Sequence, residues 1–284
     1  MQISKLDSQN PEFPDQLREI PIPPKELYLL GSLGDKPKIA IVGSRKATRY
    51  GKQVTYDFAY ELAKAGITIV SGLASGIDAE AHRGALDAGG HTIAVLAHGL
   101  DSVYPTSNRA LAVDILRKGG ALVSEYPEGT PPLKHHFIDR NRIISGLSLG
   151  TVVTQAGTDS GSLWTAKHTI DQGRVIMAVP GQITDLMSSG TNNLIREFAL
   201  PVVSASDILA GVELGSELLK STQIAPASAI EANILGALNA GHSKGQALID
   251  ATGLEPAHFA QVISLMEITG KVRNLGASTW IPRR

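Results

Sequence analysis

From Lys38 onward the chain repeats one pattern: a short apolar run without polar alternation, a loop rich in glycine and serine, then an amphipathic stretch. The first run is Ile39-Ala40-Ile41-Val42, ended by Gly43; the second is Ile67-Thr68-Ile69-Val70, ended by Ser71-Gly72. Further strands are predicted over 92–97, 121–125, 151–155, 175–179 and 201–203, with helices between them. A strand that is apolar at consecutive positions must be covered on both faces. The pattern therefore predicts an α/β fold with a mainly parallel sheet and helices on either side. Such sheets bind ligands beyond the carboxyl ends of their strands, so the loops at those ends are the place to look for function.

The 37 residues before this repeat carry four prolines between Pro14 and Pro24 and read as an irregular lead-in that packs on the core. The repeat itself occupies 38–215. A linker is predicted over 216–227, and the periodicity then changes. Helical patterns over 230–239, 243–250 and 255–269 precede two short strands that can pair around Asn274-Leu275-Gly276-Ala277. Three helices and a terminal hairpin predict a winged helix over 228–284.

Composition narrows the function classes. Hydrophobic residues make up 43% and charged residues 19%, which excludes a disordered chain. The chain has no cysteine, so disulfides, thiolate metal sites and a cysteine nucleophile are excluded. A polar start over 1–15 and the lack of any 18-residue apolar run point to a cytoplasmic protein without a membrane partner. The net charge of −1 does not itself favour nucleic acid, but its distribution is uneven. Between Lys36 and Tyr56 there are six basic residues (Lys36, Lys38, Arg45, Lys46, Arg49, Lys52) and no acidic one. A second basic cluster runs from Lys134 to Arg142. A fold that joins the two makes an anion-binding face; otherwise each is a solvated surface.

Three loops at strand ends carry the candidate chemistry. Gly43-Ser44-Arg45-Lys46-Ala47-Thr48 offers backbone amides, two hydroxyls and a guanidinium fork where a helix starts, although an ordinary βα turn with a solvated arginine fits it too. It is neither a G-x-G-x-x-G dinucleotide fingerprint nor a Walker A loop. Ser71-Gly72-Leu73-Ala74-Ser75-Gly76-Ile77-Asp78 opens a second helix. Asp78 and His82 share a face there, which would suit an acid/base pair, but with no third catalytic group adjacent they read as a capping carboxylate and a partly buried imidazole. Ser160-Gly161-Ser162 opens a third. A row of such sites suits a polyanion better than a single phosphate. Phe137 and Tyr104, in loops on the same edge, can stack on unpaired bases or pack in the core.

Taken together, these motifs resemble the DNA processing protein A (DprA/Smf) family. The resemblance is carried by Ile41-Val42-Gly43-Ser44-Arg45 with Thr48, the Ser71–Asp78 loop with His82, Tyr104-Pro105, Ser124-Glu125-Tyr126-Pro127, Arg140-Asn141-Arg142-Ile143-Ile144, Ser160-Gly161-Ser162 and Val179-Pro180-Gly181. It implies an extended Rossmann-like fold that binds single-stranded DNA as a homodimer during natural transformation. Protection of incoming DNA, displacement of single-strand-binding protein and loading of the RecA recombinase are implied with it. Neither a cofactor nor a metal is implied, and no catalytic residue. Carried over by position, Gly43, Ser44, Arg45 and Thr48 with Lys134, Phe137, Arg140 and Asn141 would line the strand-binding pocket; Ser71, Gly72, Gly76, Arg142, Ser160, Gly161 and Ser162 complete the candidate set. The chain departs from the family pattern at Gln155, where glutamate is usual, at Ile138, where proline is usual, and at Phe198-Ala199, where glycine-alanine is usual.

The competing reading is a lysine-decarboxylase-like nucleotide phosphoribohydrolase, which shares glycine loops of this kind. That chemistry needs a positioned carboxylate after its glycine motif. The comparable stretch here is Gln155-Ala156-Gly157-Thr158-Asp159-Ser160-Gly161, and no acidic residue follows it until Asp171. The chain has neither the fingerprint nor the ribose-binding acid of an NAD-dependent oxidoreductase.

Overall fold

The structure is a computed structural model and describes residues 2–214, 228–269, 271–274, 276 and 278–282. Two compact units divide the chain, residues 1–219 and 220–284. The predicted linker over 216–227 lies outside the described residues.

The first unit is built on a nine-stranded sheet of order β1-β2-β6-β5-β4-β3-β7-β8-β9. Its strands are β1 (Ser4–Asp7), β2 (Glu26–Gly31), β3 (Lys38–Val42), β4 (Thr68–Ser71), β5 (Thr92–Leu96), β6 (Ala121–Ser124), β7 (Gly150–Val153), β8 (Val175–Ala178) and β9 (Leu200–Pro201). Strands β3 to β9 pair in parallel, whereas β1–β2 and β2–β6 pair antiparallel. The helices are α1 (Asp15–Arg18), α2 (Arg49–Lys64), α3 (Ile77–Asp87), α4 (Arg109–Arg117), α5 (Lys134–Gly146), α6 (Ser162–Asp171), α7 (Ser189–Glu197) and α8 (Ala205–Gly211).

The apolar runs explain the layering. Along β3, Ile39 and Ile41 join a cluster with Phe58 and Leu62 of α2, Ile77 of α3 and Ile208 of α8. Ala40 and Val42 point the other way, into a cluster with Ile143 and Ile144 of α5, Ala166 of α6 and Leu194 of α7. Each fully buried isoleucine contributes about 1.5–3 kcal/mol relative to its exposed form. A polar residue at either position would therefore break one of the two layers. The fold is an extended Rossmann-like α/β sheet.

Two sequence expectations change. The stretch before Lys38 is not irregular: it forms β1, α1 and β2, and β2 extends the sheet by pairing with β6. Its prolines hide a period-two segment, in which Leu27 and Leu29 face one core cluster and Tyr28 and Leu30 another. Phe137 lies on a helix rather than in a loop: α5 begins at Lys134, so Lys134, Phe137, Arg140 and Asn141 share one helix.

The second unit contains α9 (Ala229–Asn239), α10 (Gly245–Thr252) and α11 (Pro256–Ile268), then β10 (Val272–Asn274) paired antiparallel with β11 (Trp280–Pro282). Ser228 caps α9 by accepting from the Glu231 amide, and Gly253 closes α10 at φ +65°, a conformation that favours glycine. Ile234, Leu248, Phe259, Ile263, Met266, Val272 and Trp280 form one core. Three helices and then a hairpin are the element order expected over 228–284.

Candidate nucleic-acid interface

In the sheet, β3 lies between β4 and β7, so successive strands run outward in opposite directions from the β3/β7 pair. That pair is the topological switch point, the place where open α/β sheets form a crevice beyond their carboxyl ends. The loop after β3 (43–48) and the loop after β7 (154–161) meet there. Ser44 donates its amide to the Gln155 carbonyl at 2.7 Å. The approach is close: a Cβ on Gly43 would lie 2.6 Å from Ile77 Cγ1 and 2.7 Å from the Gln155 carbonyl.

Gln155, fully buried, holds the first loop in place. Its Oε1 accepts from the Thr48 amide at 2.8 Å, and its Nε2 donates to Thr48 Oγ1 at 2.9 Å and to Asp185 Oδ2 at 3.3 Å. Thr48 in turn accepts from the Gly51 amide and caps α2. A glutamate at 155 would face the Asp185 carboxylate with a second negative charge; the neutral amide makes both hydrogen bonds instead. Sequence reading noted Gln155 only as a departure and missed Asp185. The available signal was Gly51, where a Cβ would sit 2.3 Å from Gln155 Oε1.

Arg45 extends from this loop into solvent. Its guanidinium lies 5.2 Å from the centre of the Phe137 ring on α5. Tyr104, 47% exposed in the loop after β5, meets the same ring edge-on at 5.7 Å. Lys134 is exposed at the first position of α5 and has no ion-pair partner among the described residues. The two basic clusters of the sequence therefore converge, through Arg45 and α5. From the same helix, Asn141 donates to the Gly161 carbonyl at 3.3 Å, and the Ser160 and Ser162 hydroxyls bond each other at 2.8 Å. Gly43, Ser44, Arg45, Thr48, Lys134, Phe137, Asn141, Ser160, Gly161 and Ser162 thus lie on the loops and helix starts that meet at this switch point.

The second glycine loop is different, and this corrects its reading as an anion cradle. The Gly72 and Ala74 amides already point at Asp78 Oδ2, at 3.1 and 3.4 Å. Ser71 is buried and donates its hydroxyl to the Ile41 carbonyl at 2.7 Å. Gly76, at φ +80°, serves close packing: a Cβ there would fall 2.4 Å from the Ser44 carbonyl. Burial pushes the Asp78 carboxyl up, opposed by Arg140 and the two amides. His82 is not partly but wholly buried, with Nδ1 2.7 Å from Thr92 Oγ1. Burial, with smaller contributions from Arg140 and Arg83, lowers its pKa to about 3.

Two arginines of the candidate set are also committed inside the protein. Arg142 forms a bidentate ion pair with Glu125, at 2.9 and 2.6 Å, and donates to the Ile22 and Asp139 carbonyls. Arg140, 4% exposed, donates to the carbonyls of Gly72 and Val95 and to Asn141 Oδ1. Burial lowers its pKa to about 10, with Asp78 acting against that shift. Sequence spacing could not distinguish these arginines from Arg45, because all three sit in basic local sequence.

Residues 5–213 match the model of the DNA recombination-mediator protein A family. Protein Smf of Escherichia coli is 43% identical over 72% of this chain, which spans 55% of that protein's length. DNA processing protein DprA of Bacillus subtilis is 44% identical over 72% of the chain and 70% of its own length. The X-ray structure of DNA processing protein A from Streptococcus pneumoniae superposes with a TM-score of 0.69 at 40% identity, covering 73% of this chain and 74% of that one. A structure from Helicobacter pylori, described for the single-stranded DNA binding mode of its DNA processing protein A, gives a TM-score of 0.67 at 33% identity, covering 75% of this chain and 96% of that one. With the family model matching residues 5–213 and relatives 43% and 44% identical over 72% of the chain, the chain belongs to the DNA recombination-mediator protein A family.

Proposed function

We propose that this chain binds single-stranded DNA in the crevice at the β3/β7 switch point, without altering it chemically. The observation that carries the reading is the contact between the exposed Arg45 guanidinium and the Phe137 ring, at 5.2 Å. A cation beside an aromatic ring offers one group for a phosphate and one for an unpaired base, the combination single strands require. Lys134 supports it: a cation at the start of a helix opposes the helix dipole, so its placement gains nothing for α5 itself and suits an incoming anion. Family membership supports the wider role. In that role the chain acts as a cytoplasmic homodimer that protects incoming strands, displaces single-strand-binding protein and loads RecA, with no cofactor.

The Arg45→Ala/Lys134→Ala variant should bind oligo-dT more weakly, with a log-affinity against log-salt slope shallower by about 0.7 per lost phosphate contact. Unchanged affinity and slope would place the strand elsewhere. For the absence of catalysis, nucleoside monophosphates incubated with the protein should release no base above a buffer control. Release that scales with protein and vanishes in Asp159→Asn would favour the phosphoribohydrolase. Glu125, the other carboxylate near this edge, is already held by Arg142 at 2.6 Å.

A further inference from the structure

Beyond the last rung of the β4–β5 ladder, Ser71 opposite Ala94, the next residues on these strands are Gly72 and Val95. Arg140 donates from one nitrogen, Nη1, to both of their carbonyls, so the guanidinium ties the two strand ends together where the ladder stops. Its Nε–H is used on Asn141 Oδ1 at 3.2 Å. The same guanidinium lies 5.9 Å from the Phe137 ring, the ring that Arg45 contacts at 5.2 Å. Gly72 makes room for it: a Cβ there would lie 2.6 Å from Nη2 and 2.7 Å from Cζ and Nη1. Arg45 is exposed on its loop, whereas Arg140 is 4% exposed and held from three sides.

We propose that Arg140 is a positioning residue rather than a phosphate ligand: it sets the spacing of the β4 and β5 ends and seats the Phe137 ring for a base. This rests on the reading of the crevice as a single-strand site. An arginine with bonds to two main-chain carbonyls and a side-chain oxygen orders what surrounds it, and releasing it to meet a phosphate would leave those buried acceptors unpaired. The role is invisible in sequence, where Arg140 and Asn141 stand in the same basic cluster as Lys134.

The test uses the full chain, an oligo-dT probe carrying one 2-aminopurine, and a salt titration, on the parent, Arg45→Ala, Arg140→Met and Gly72→Ala. Gly72→Ala displaces the guanidinium while every charge is kept, so it carries the test if Arg140→Met fails to fold. Both Arg140→Met and Gly72→Ala should lose affinity by about tenfold, the low end of one base–aromatic stack, and lose quenching of the 2-aminopurine. Their salt slope should equal the parent's, whereas Arg45→Ala should lose about 0.7. A slope loss of that size in either variant makes Arg140 a phosphate ligand and overturns the proposal. Parental affinity and quenching in Gly72→Ala overturn it as well. A parent that binds no oligo-dT fails differently, because then the single-strand reading itself falls.

Discussion

His82 shows how one side chain can look catalytic in sequence and prove structural. Its spacing from Asp78 puts both on one face of α3, yet Asp78 turns to the Gly72 and Ala74 amides and His82 to Thr92. The imidazole is buried in its neutral form, with a pKa of about 3 in the folded protein against an ordinary 6.5. A depressed histidine pKa stabilises the fold above pH 6.5. That stability drains as pH falls from 6.5 towards 3, because the unfolded chain takes up a proton the folded chain refuses. The expected slope is about 1.4 kcal/mol per pH unit within that window. Urea melts of the parent and of His82→Leu across pH 3.5–7 should show the variant losing this slope; parallel curves would mean the ring is protonated in place. The capping carboxylate was legible locally; the complete burial of His82 was not, because it comes from α2, β4 and β5 packing against α3.

Elements were more legible than side chains, for a physical reason. An unalternated apolar run can be satisfied only between two layers, so β3, β4 and β7 could be placed from their own residues. The segment before β3 was misread because proline density outweighed a short alternation in Glu26–Gly31. Its contribution to stability is concentrated in Phe13, Leu17 and Leu27, all within the cluster that also holds Ile143 and Ile144 of α5. Phe13→Ala should therefore cost about 3–5 kcal/mol by chemical denaturation, the range for deleting a buried phenylalanine. A loss below about 1 kcal/mol, the level of surface substitutions, would show that β1 and α1 are peripheral. Because α5 carries Phe137 and Asn141, the same variant tests whether this segment supports the crevice: oligo-dT affinity should fall with stability.

At the scale of the whole chain, the proposed strand site lies within the first unit. The third helix of the second unit, α11, carries Glu267 and no lysine or arginine along Pro256–Ile268, so its charge opposes a phosphate backbone. Lys271, which follows it, is held in an ion pair with Glu231 at 2.5 Å, with side chains 14% and 6% exposed. This unit is expected to be a protein-interaction or dimer-supporting module rather than a reader of duplex DNA. A chain truncated near Gly215 should keep most of the full chain's oligo-dT affinity, while residues 228–284 alone should bind duplex only weakly at physiological salt. Tight, salt-sensitive duplex binding by the isolated unit would overturn this. Among the described residues no helix is long and apolar enough to cross a membrane.

Hydrophobic periodicity and glycine placement act over a few residues, so the sheet, its helices and the loops that could face a ligand could be derived from the chain alone. The convergence of Arg45 with α5 could be anticipated in the same way, because α/β connections bring strand-end loops to one edge. Which donors in those loops stay free could not. Asp78 takes the amides of the second loop, Glu125 takes Arg142 across 17 residues, and Gln155 pins Thr48 across 107. Basic residues of equal local character end as a solvent-facing guanidinium, a buried strut and half of an ion pair. Their partners are brought by distant turns of the chain, and a buried hydrogen-bonding group must take the partner that packing delivers.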